Sequence, residues 1–315
     1  MSKKILILGA CGQIGTELTV ALRARYGSES VIASDIREGT AELMESGPFV
    51  KLDVMDRESL QNFLKETPIS EVYLMAAMLS ANAEKSPARA WELNMNSLLH
   101  LLELGRENLY SKIFWPSSIA VFGPSTPKKN TPQATVMEPT TVYGISKQAG
   151  EGWASYYYRK FGVDVRSIRY PGLISWKTKP GGGTTDYAVE IFHEALEKGS
   201  YNCFLEADTA LPMMYMSDAI EATLKLMDAP ATALSVRTSY NLGGISFTPA
   251  ELANSIRTYI PDFEISYEPD FRQEIADSWP ESVDDSKARE DWGWEPRYDL
   301  DRTAREMLLN LKENS

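Results

Sequence analysis

The stretch Ile5-Leu6-Ile7-Leu8-Gly9-Ala10-Cys11-Gly12-Gln13-Ile14-Gly15 decides the architecture of this chain. Four aliphatic residues in succession suit a strand buried on both faces, and the glycines that follow turn the backbone into a helix. In that setting Gly9 permits the tight turn, Gly12 lets a pyrophosphate approach the backbone, and Gly15 lets helix pack on strand. The spacing is Gly-x-x-Gly-x-x-Gly, one residue off the commoner dinucleotide fingerprint. Taken alone, the triplet also reads as a glycine-rich turn without a ligand.

Outward from this stretch, further aliphatic runs at 31–34, 49–52, 72–75, 113–115 and 165–168 alternate with helical patterns at 13–26, 57–66, 86–108 and 141–161. Such alternation predicts an α/β fold, a doubly wound parallel sheet of the Rossmann type. After Arg169 the rhythm shortens and becomes more polar, with helical patterns at 186–198, 217–228 and 249–259 and a candidate returning strand at 236–242. The expected division is a nucleotide-binding domain over 1–170, completed by about 215–245, and a smaller α/β substrate-binding domain over 171–315 interleaved with it.

Composition narrows the partners. The 315 residues carry 32 basic and 44 acidic side chains, a net charge of -12, which disfavours nucleic acid and anionic membranes and leaves a small molecule as the expected partner. Cys11, Cys203, His100 and His193 are the whole cysteine and histidine set, and no pair has zinc-ligand spacing, so no metal is expected. Two cysteines so far apart fit a reducing compartment, and the cytoplasm is the expected location. The longest apolar run, 72–79, is eight residues, against the ~20 that a membrane helix needs.

Asp35 lies 20 residues beyond Gly15 at the end of the second strand, where a carboxylate can accept the ribose hydroxyls. The same charge repels a 2'-phosphate, so NAD is expected over NADP, with Arg37 as the one contrary feature. Asp53 and Val54 end the third strand, and Asp53 either bonds the adenine amino group or caps the helix that follows from Asp56. Tyr143 and Lys147 stand four apart at the start of a helical pattern and so share a face. Deprotonating a free tyrosine at pH 7 costs about 4 kcal/mol, and a lysine cation beside it, together with the positive nicotinamide ring of an oxidised cofactor, lowers that cost, which makes Tyr143 a candidate general base. Ser118, 25 residues earlier at the end of the fifth strand, can orient a substrate oxygen.

Together the glycine triplet, Asp35, Ser118, Tyr143 and Lys147 resemble the extended short-chain dehydrogenase/reductases, and the resemblance runs through to Asp285-Ser286-Lys287-Ala288-Arg289 and Trp292-Gly293-Trp294-Glu295-Pro296. Asn94 looks like that family's asparagine on the fourth helix. Leu79-Ser80-Ala81, Gly182-Gly183-Thr184-Thr185-Asp186-Tyr187-Ala188 and Ile275-Ala276-Asp277-Ser278-Trp279-Pro280 are similar to its short-chain L-threonine 3-dehydrogenase branch. The resemblance implies catalytic roles for Ser118, Tyr143 and Lys147. It implies cofactor contacts from Gly9, Gly12, Gln13, Ile14, Gly15, Asp35, Ile36, Arg37, Asp53, Val54, Leu74, Ala76, Ala77, Asn94, Tyr143, Lys147, Tyr170 and Leu173. Substrate contacts are expected from Ser80, Ser118, Tyr143, Thr184, Thr185, Asp186 and Trp279.

Physically, the hydroxyls of Ser80, Thr184 and Thr185 can donate to a carboxylate and Asp186 can offset an ammonium, although Thr-Thr-Asp before a helix also reads as an N-cap. Trp279 either closes the pocket or plugs a domain interface, and the glycines at 181–183 suit a hinge. The implied reaction is NAD-dependent oxidation of the C3 hydroxyl of L-threonine to 2-amino-3-oxobutanoate. Two rivals stand beside it. A nucleotide-sugar epimerase or dehydratase shares the trio but usually shows Arg-Tyr-Phe-Asn where this chain has Arg169-Tyr170-Pro171-Gly172, and a noncatalytic NAD-sensing regulator would need neither Tyr143 nor Lys147. Family likeness also implies a homodimer through helices 86–108 and 141–161.

Overall fold

In the computed structural model, which describes residues 3–181 and 183–314, strands and helices alternate as the sequence pattern predicts. The first half runs β1 (Ile5–Leu8), α1 (Gln13–Tyr26), β2 (Val31–Asp35), α2 (Ala41–Glu45), β3 (Phe49–Lys51), α3 (Arg57–Glu66), β4 (Glu71–Leu74), α4 (Ser80–Lys85), α5 (Pro87–Arg106) and β5 (Lys112–Phe114). It continues through β6 (Ser117–Ser118), α6 (Val142–Phe161), β7 (Asp164–Arg166), β8 (Ile168–Tyr170) and β9 (Gly172–Ile174). The second half holds α7 (Tyr187–Lys198), β10 (Ser200–Cys203), β11 (Leu211–Tyr215), α8 (Met216–Asp228), β12 (Tyr240–Asn241), β13 (Ile245–Phe247) and α9 (Pro249–Arg257). The remaining elements are β14 (Glu264–Tyr267), α10 (Phe271–Ser278), α11 (Ser286–Trp292) and α12 (Leu300–Glu313).

The main sheet has the order β3-β2-β1-β4-β5-β7, and all its pairings are parallel. Every side chain of β1 is fully buried, because the strand sits inside a sheet covered on both faces. Ile5 and Ile7 pack toward Leu18 and Leu22 of α1 and the apolar face of α8. Leu6 and Leu8 face the opposite way, toward Leu60 and Leu64 of α3, the leucines of α5 and Ala154 of α6. A third apolar core lies under α7, α9 and α12 around β11.

Two expected strands are realised differently. The run at 165–168 divides at Ser167: β7 completes the main sheet, while β8 pairs with β6 and β12 in a separate three-stranded sheet. At the break, the Ser239 hydroxyl donates to that of Ser167 at 2.6 Å, and the buried Arg166 guanidinium takes carbonyls at the end of α8. The run at 236–242 forms strand only at 240–241 and joins that smaller sheet rather than the main one. Arg237, in its first part, turns instead to Asp164 at 3.1 Å. Among the described residues no helix is long and apolar enough to cross a membrane.

Candidate active site

The glycine loop leaves the carboxyl end of β1 beside the carboxyl ends of β2 and β4. Gly9 has φ +90°, which favours glycine, and a Cβ there would lie 2.8 Å from the Cα of Ala76. A Cβ on Gly15 would come within 3.0 Å of the Cα of Ala10, so only glycine lets α1 approach the loop this closely. Gly12 is different: its Cβ would meet nothing nearer than the Gly9 carbonyl oxygen at 3.4 Å. It is also the N-cap of the 14-residue α1 and offers the helix no side-chain cap, which leaves its first amides directed at the loop.

Asp35 holds this loop in place. Its Oδ2 accepts from the Cys11 amide at 3.0 Å and its Oδ1 from the Arg37 amide at 3.1 Å, so the buried carboxylate braces the turn, a task the sequence pattern does not reveal. Arg37 lies 3.5 Å away through Nε and is itself largely exposed. Ile36 is exposed, and Leu74 and Val54 are buried. Asp53 accepts from the Met55 amide at 2.9 Å, whereas the N-cap of α3 is Asp56, whose Oδ1 accepts from Ser59 at 3.0 Å. The capping alternative for Asp53 is therefore taken by its neighbour.

Tyr143 and Lys147 stand on successive turns of α6, whose N-terminus is fixed by Thr141 accepting from the Gly144 amide at 3.1 Å. The Lys147 ammonium donates to the Pro116 carbonyl at 2.6 Å and lies 4.5 Å from the Trp115 ring centre and 5.5 Å from that of Tyr143. Ser118 caps the short 3-10 turn that follows it, accepting from Ala120 at 3.2 Å. Burial pushes the Tyr143 phenol up to about 12, opposed by its hydrogen bond with Ser118, and burial pulls Lys147 down to about 7, opposed by Glu151. Both groups are desolvated and each charged form is penalised, so in the absence of the cofactor the phenol stays above its ordinary value. Asn94 is bonded within the protein. Its Oδ1 accepts from the Met78 amide at 2.8 Å and its Nδ2 donates to the Met78 carbonyl and to Ser146, which ties the end of β4 to α6.

A cavity of about 730 Å³ runs over these groups. Of the expected cofactor residues, Gln13, Ile14, Arg37, Ala77, Tyr143, Lys147, Tyr170 and Leu173 line it, and all the expected substrate residues do: Ser80, Ser118, Tyr143, Thr184, Thr185, Asp186 and Trp279. Gly9, Gly12, Gly15, Asp35, Ile36, Asp53, Val54, Leu74, Ala76 and Asn94 are outside its lining. The Tyr170 hydroxyl is bonded to Thr223 in the core. Asp186 occupies the N-cap position of α7 without bonding the helix, and its Oδ2 accepts instead from Gly181 at 2.7 Å and Gly183 at 2.8 Å. The expectation for Gly182 falls outside the described residues. Trp279 both lines the cavity and belongs to the core of the second half.

Sequence reasoning missed several lining residues, among them Asn82, Arg89, Leu93 and Lys179. It also missed Lys128, whose ammonium donates to the carbonyls of Asp277 and Trp279 and anchors that tryptophan. The reason for Gly172 was equally hidden: a Cβ there would lie 2.7 Å from Thr185 Cγ2 and 2.8 Å from its Cβ. Only glycine lets Thr185 approach the strand this closely. Among the described residues no three His, Cys, Asp or Glu side chains are grouped to hold a metal ion.

Comparison with known proteins decides the lineage. Residues 5–243 match the NAD dependent epimerase/dehydratase family. The chain belongs to that family. An uncharacterised epimerase/dehydratase of Staphylococcus aureus (strain USA300) is 50% identical over 314 residues, covering 99% of this chain and 97% of the relative. Among solved structures, the holo form of a GalE-like L-threonine dehydrogenase from Cupriavidus necator is 58% identical, with a TM-score of 0.95 over 98% of this chain and 99% of that one. A monomeric L-threonine 3-dehydrogenase from a metagenome is 49% identical, with a TM-score of 0.93 over the same shares. This epimerase/dehydratase family member is an enzyme, and its cofactor is NAD. The residues present fit that group: the backbone at Gly12 is open, α1 offers uncapped amides, and Asp35 supplies a carboxylate at the end of β2.

Proposed function

We propose that the protein oxidises the C3 hydroxyl of L-threonine to 2-amino-3-oxobutanoate in an NAD-dependent dehydrogenase reaction. The observation that carries this reading is the convergence of Ser118, Tyr143, Lys147, Ser80, Thr184, Thr185 and Trp279 on one cavity beside the glycine loop. The similarity to solved L-threonine dehydrogenases supports the choice of substrate.

The substrate hydroxyl sits between Ser118 and Tyr143. Ser118 orients the oxygen, and Tyr143 takes its proton as the general base. Lys147 faces the phenol ring and holds the cofactor ribose. A bound NAD would supply the hydride acceptor for C3 and a cationic ring that favours the phenolate. With its phenol at about 12, Tyr143 is protonated in the unassisted protein at neutral pH, which equally suits it to return a proton to a ketone in the reverse direction. Ser80, Thr184 and Thr185 hold the substrate carboxylate, and Asp186 places negative charge on the wall that meets the ammonium. Gly181 and Gly183, tied by Asp186, act as the hinge of that wall. Trp279 shields the reacting centre from water. Gly9, Gly12, Gly15 and Asp35 hold the dinucleotide, with Ile36, Asp53, Val54, Leu74 and Ala76 along the same rim.

The division of labour follows the two halves. Residues 1–170, completed by about 215–245, form the cofactor lobe, and 171–315 supply most of the substrate lobe. A homodimer through α5 and α6 is supported by the exposure of Trp91, Ile145, Trp153, Tyr156 and Phe161 on those helices; a monomeric sedimentation profile at micromolar concentration would refute it. The cytoplasm is the proposed location.

The nucleotide-sugar reading is disfavoured by the contact between Gly172 and Thr185, since an asparagine at 172 would displace the threonine. The test is NADH formation from NAD with L-threonine, beside allo-threonine, serine and a UDP-sugar. L-threonine is expected to give the highest kcat/KM, and turnover of the UDP-sugar alone would overturn the assignment.

A further inference from the structure

Beneath the Tyr143–Lys147 pair lies a buried polar network that the reaction as described does not use. Glu151, one turn beyond Lys147 on α6, is 1% exposed, and Arg169 on β8 is 3% exposed. The Glu151 carboxylate accepts from Arg169 Nε at 2.9 Å through Oε1 and from Arg169 Nη2 at 2.7 Å through Oε2. The same Oε1 accepts from the Ser117 hydroxyl at 2.7 Å. Arg169 Nη1 continues to Asn241 Oδ1 at 2.9 Å and to the Gln133 carbonyl at 3.0 Å. Apolar side chains of similar volume commonly stabilise a fold as well as a buried ion pair does, so stability alone gives no reason for the pair.

Its position gives one. Tyr143, Lys147 and Glu151 are four residues apart and share a face of α6, while Ser117 immediately precedes Ser118 on β6. One carboxylate thus joins the helix that carries two of the reacting side chains to the strand that carries the third. We propose that Glu151 is a positioning residue for proton transfer: clamped by Ser117 and Arg169, it registers α6 against β6 and supplies the anion that supports the Lys147 ammonium. The inference rests on the assignment of proton transfer to Tyr143 and Lys147, and is independent of which alcohol is oxidised.

The electrostatics agree. Burial disfavours the charged lysine, and Glu151 is the charge that opposes this. Other ionisable groups around the helix include Tyr143 on the same face, Glu84 of α4 bonded to the Val142 amide, Glu103 of α5 bonded to Tyr157, and Arg169 beyond Glu151; toward the far end of α6 lie Arg237 over Tyr158, Arg106 over Phe161, and the helix's own Tyr156, Arg159 and Lys160. Arg169 is the carboxylate's own ion-pair partner, so Lys147 faces a partly neutralised anion.

The test compares the parent, Glu151→Gln, Ser117→Ala and the double variant Glu151→Gln with Arg169→Gln. Lys147 is titrated by NMR in unliganded protein carrying ¹³C-labelled lysine, its signal assigned with Lys147→Met, alongside thermal melting and the pH profile of kcat. Glu151→Gln is expected to lower the Lys147 midpoint and reduce kcat at pH 7 on the order of 10-fold, with a smaller change in KM for NAD. The double variant, which removes both buried charges, is expected to melt closer to the parent while keeping the lowered midpoint and the low rate. It decides the matter if the single variant does not fold. Ser117→Ala, which keeps the charge, is expected to lose several-fold in kcat with an unmoved midpoint. A parental midpoint and parental pH profile in folded protein lacking the Glu151 charge would overturn the proposal. Should Tyr143→Phe also be active, the fault would lie with the proposed function instead.

Discussion

On the cofactor side of the cleft, Gly9, Gly12 and Gly15 lie within seven consecutive residues and are braced by the single carboxylate of Asp35, whereas the substrate side draws Ser80, Ser118, Thr184 and Trp279 from four separate stretches. The first side is backbone: what matters is how closely a peptide chain approaches another chain or a phosphate. The second is made of side chains on elements that meet only after the whole fold has formed. Two glycines make the contrast concrete. A Cβ on Gly15 would collide with the backbone of Gly9 and Ala10, which cannot yield, while one on Gly172 would press on the side chains of Thr185 and Met213. Backbone geometry therefore fixes the cofactor side, and the substrate side is open to change by repacking.

Tyr143 stands where the two sides meet, and its replacement is expected to have the largest effect. Tyr143→Phe should lower kcat about 10³-fold while leaving NAD affinity, read by fluorescence titration, within a few-fold of the parent. Equal losses in both would mean that the tyrosine belongs to the cofactor side alone. Next in size is Gly15→Ala, expected to weaken NAD binding about 100-fold, since the loop must shift to admit the methyl group. Gly172→Ala is expected to raise the KM for L-threonine about 10-fold with little change in NAD affinity; a loss confined to NAD would erase the distinction between the two glycines. The smallest effect is that of Asp35→Ala, expected to narrow the preference for NAD over NADP a few-fold, and unchanged discrimination would refute a ribose role for the carboxylate.

The same contrast explains what could be read beforehand. The parallel sheet follows from aliphatic runs such as 5–8, which can only be buried on both faces, and the glycine loop follows from local spacing. Tyr143 and Lys147 are legible because helix geometry alone puts residues four apart on one face. The task of Asp35 as a brace for Cys11 was not legible, since it depends on two strands pairing across 24 residues. Nor was the hold of Lys128 on Trp279, which joins a loop to a helix 151 residues away. Nor was the extent of burial at Tyr143 and Lys147 legible: sequence shows which charges are near, not how far both are removed from water. The division of 165–168 at Ser167 likewise depends on Ser239, far along the chain, reaching the break.

The most direct test of the account follows the hydrogen itself. Single-turnover reaction of the enzyme and NAD with L-threonine deuterated at C3 should deliver the deuterium to the nicotinamide ring of the reduced cofactor, with a primary isotope effect on its formation. Reduced cofactor free of deuterium, or deuterated threonine consumed with no cofactor reduced, would contradict it.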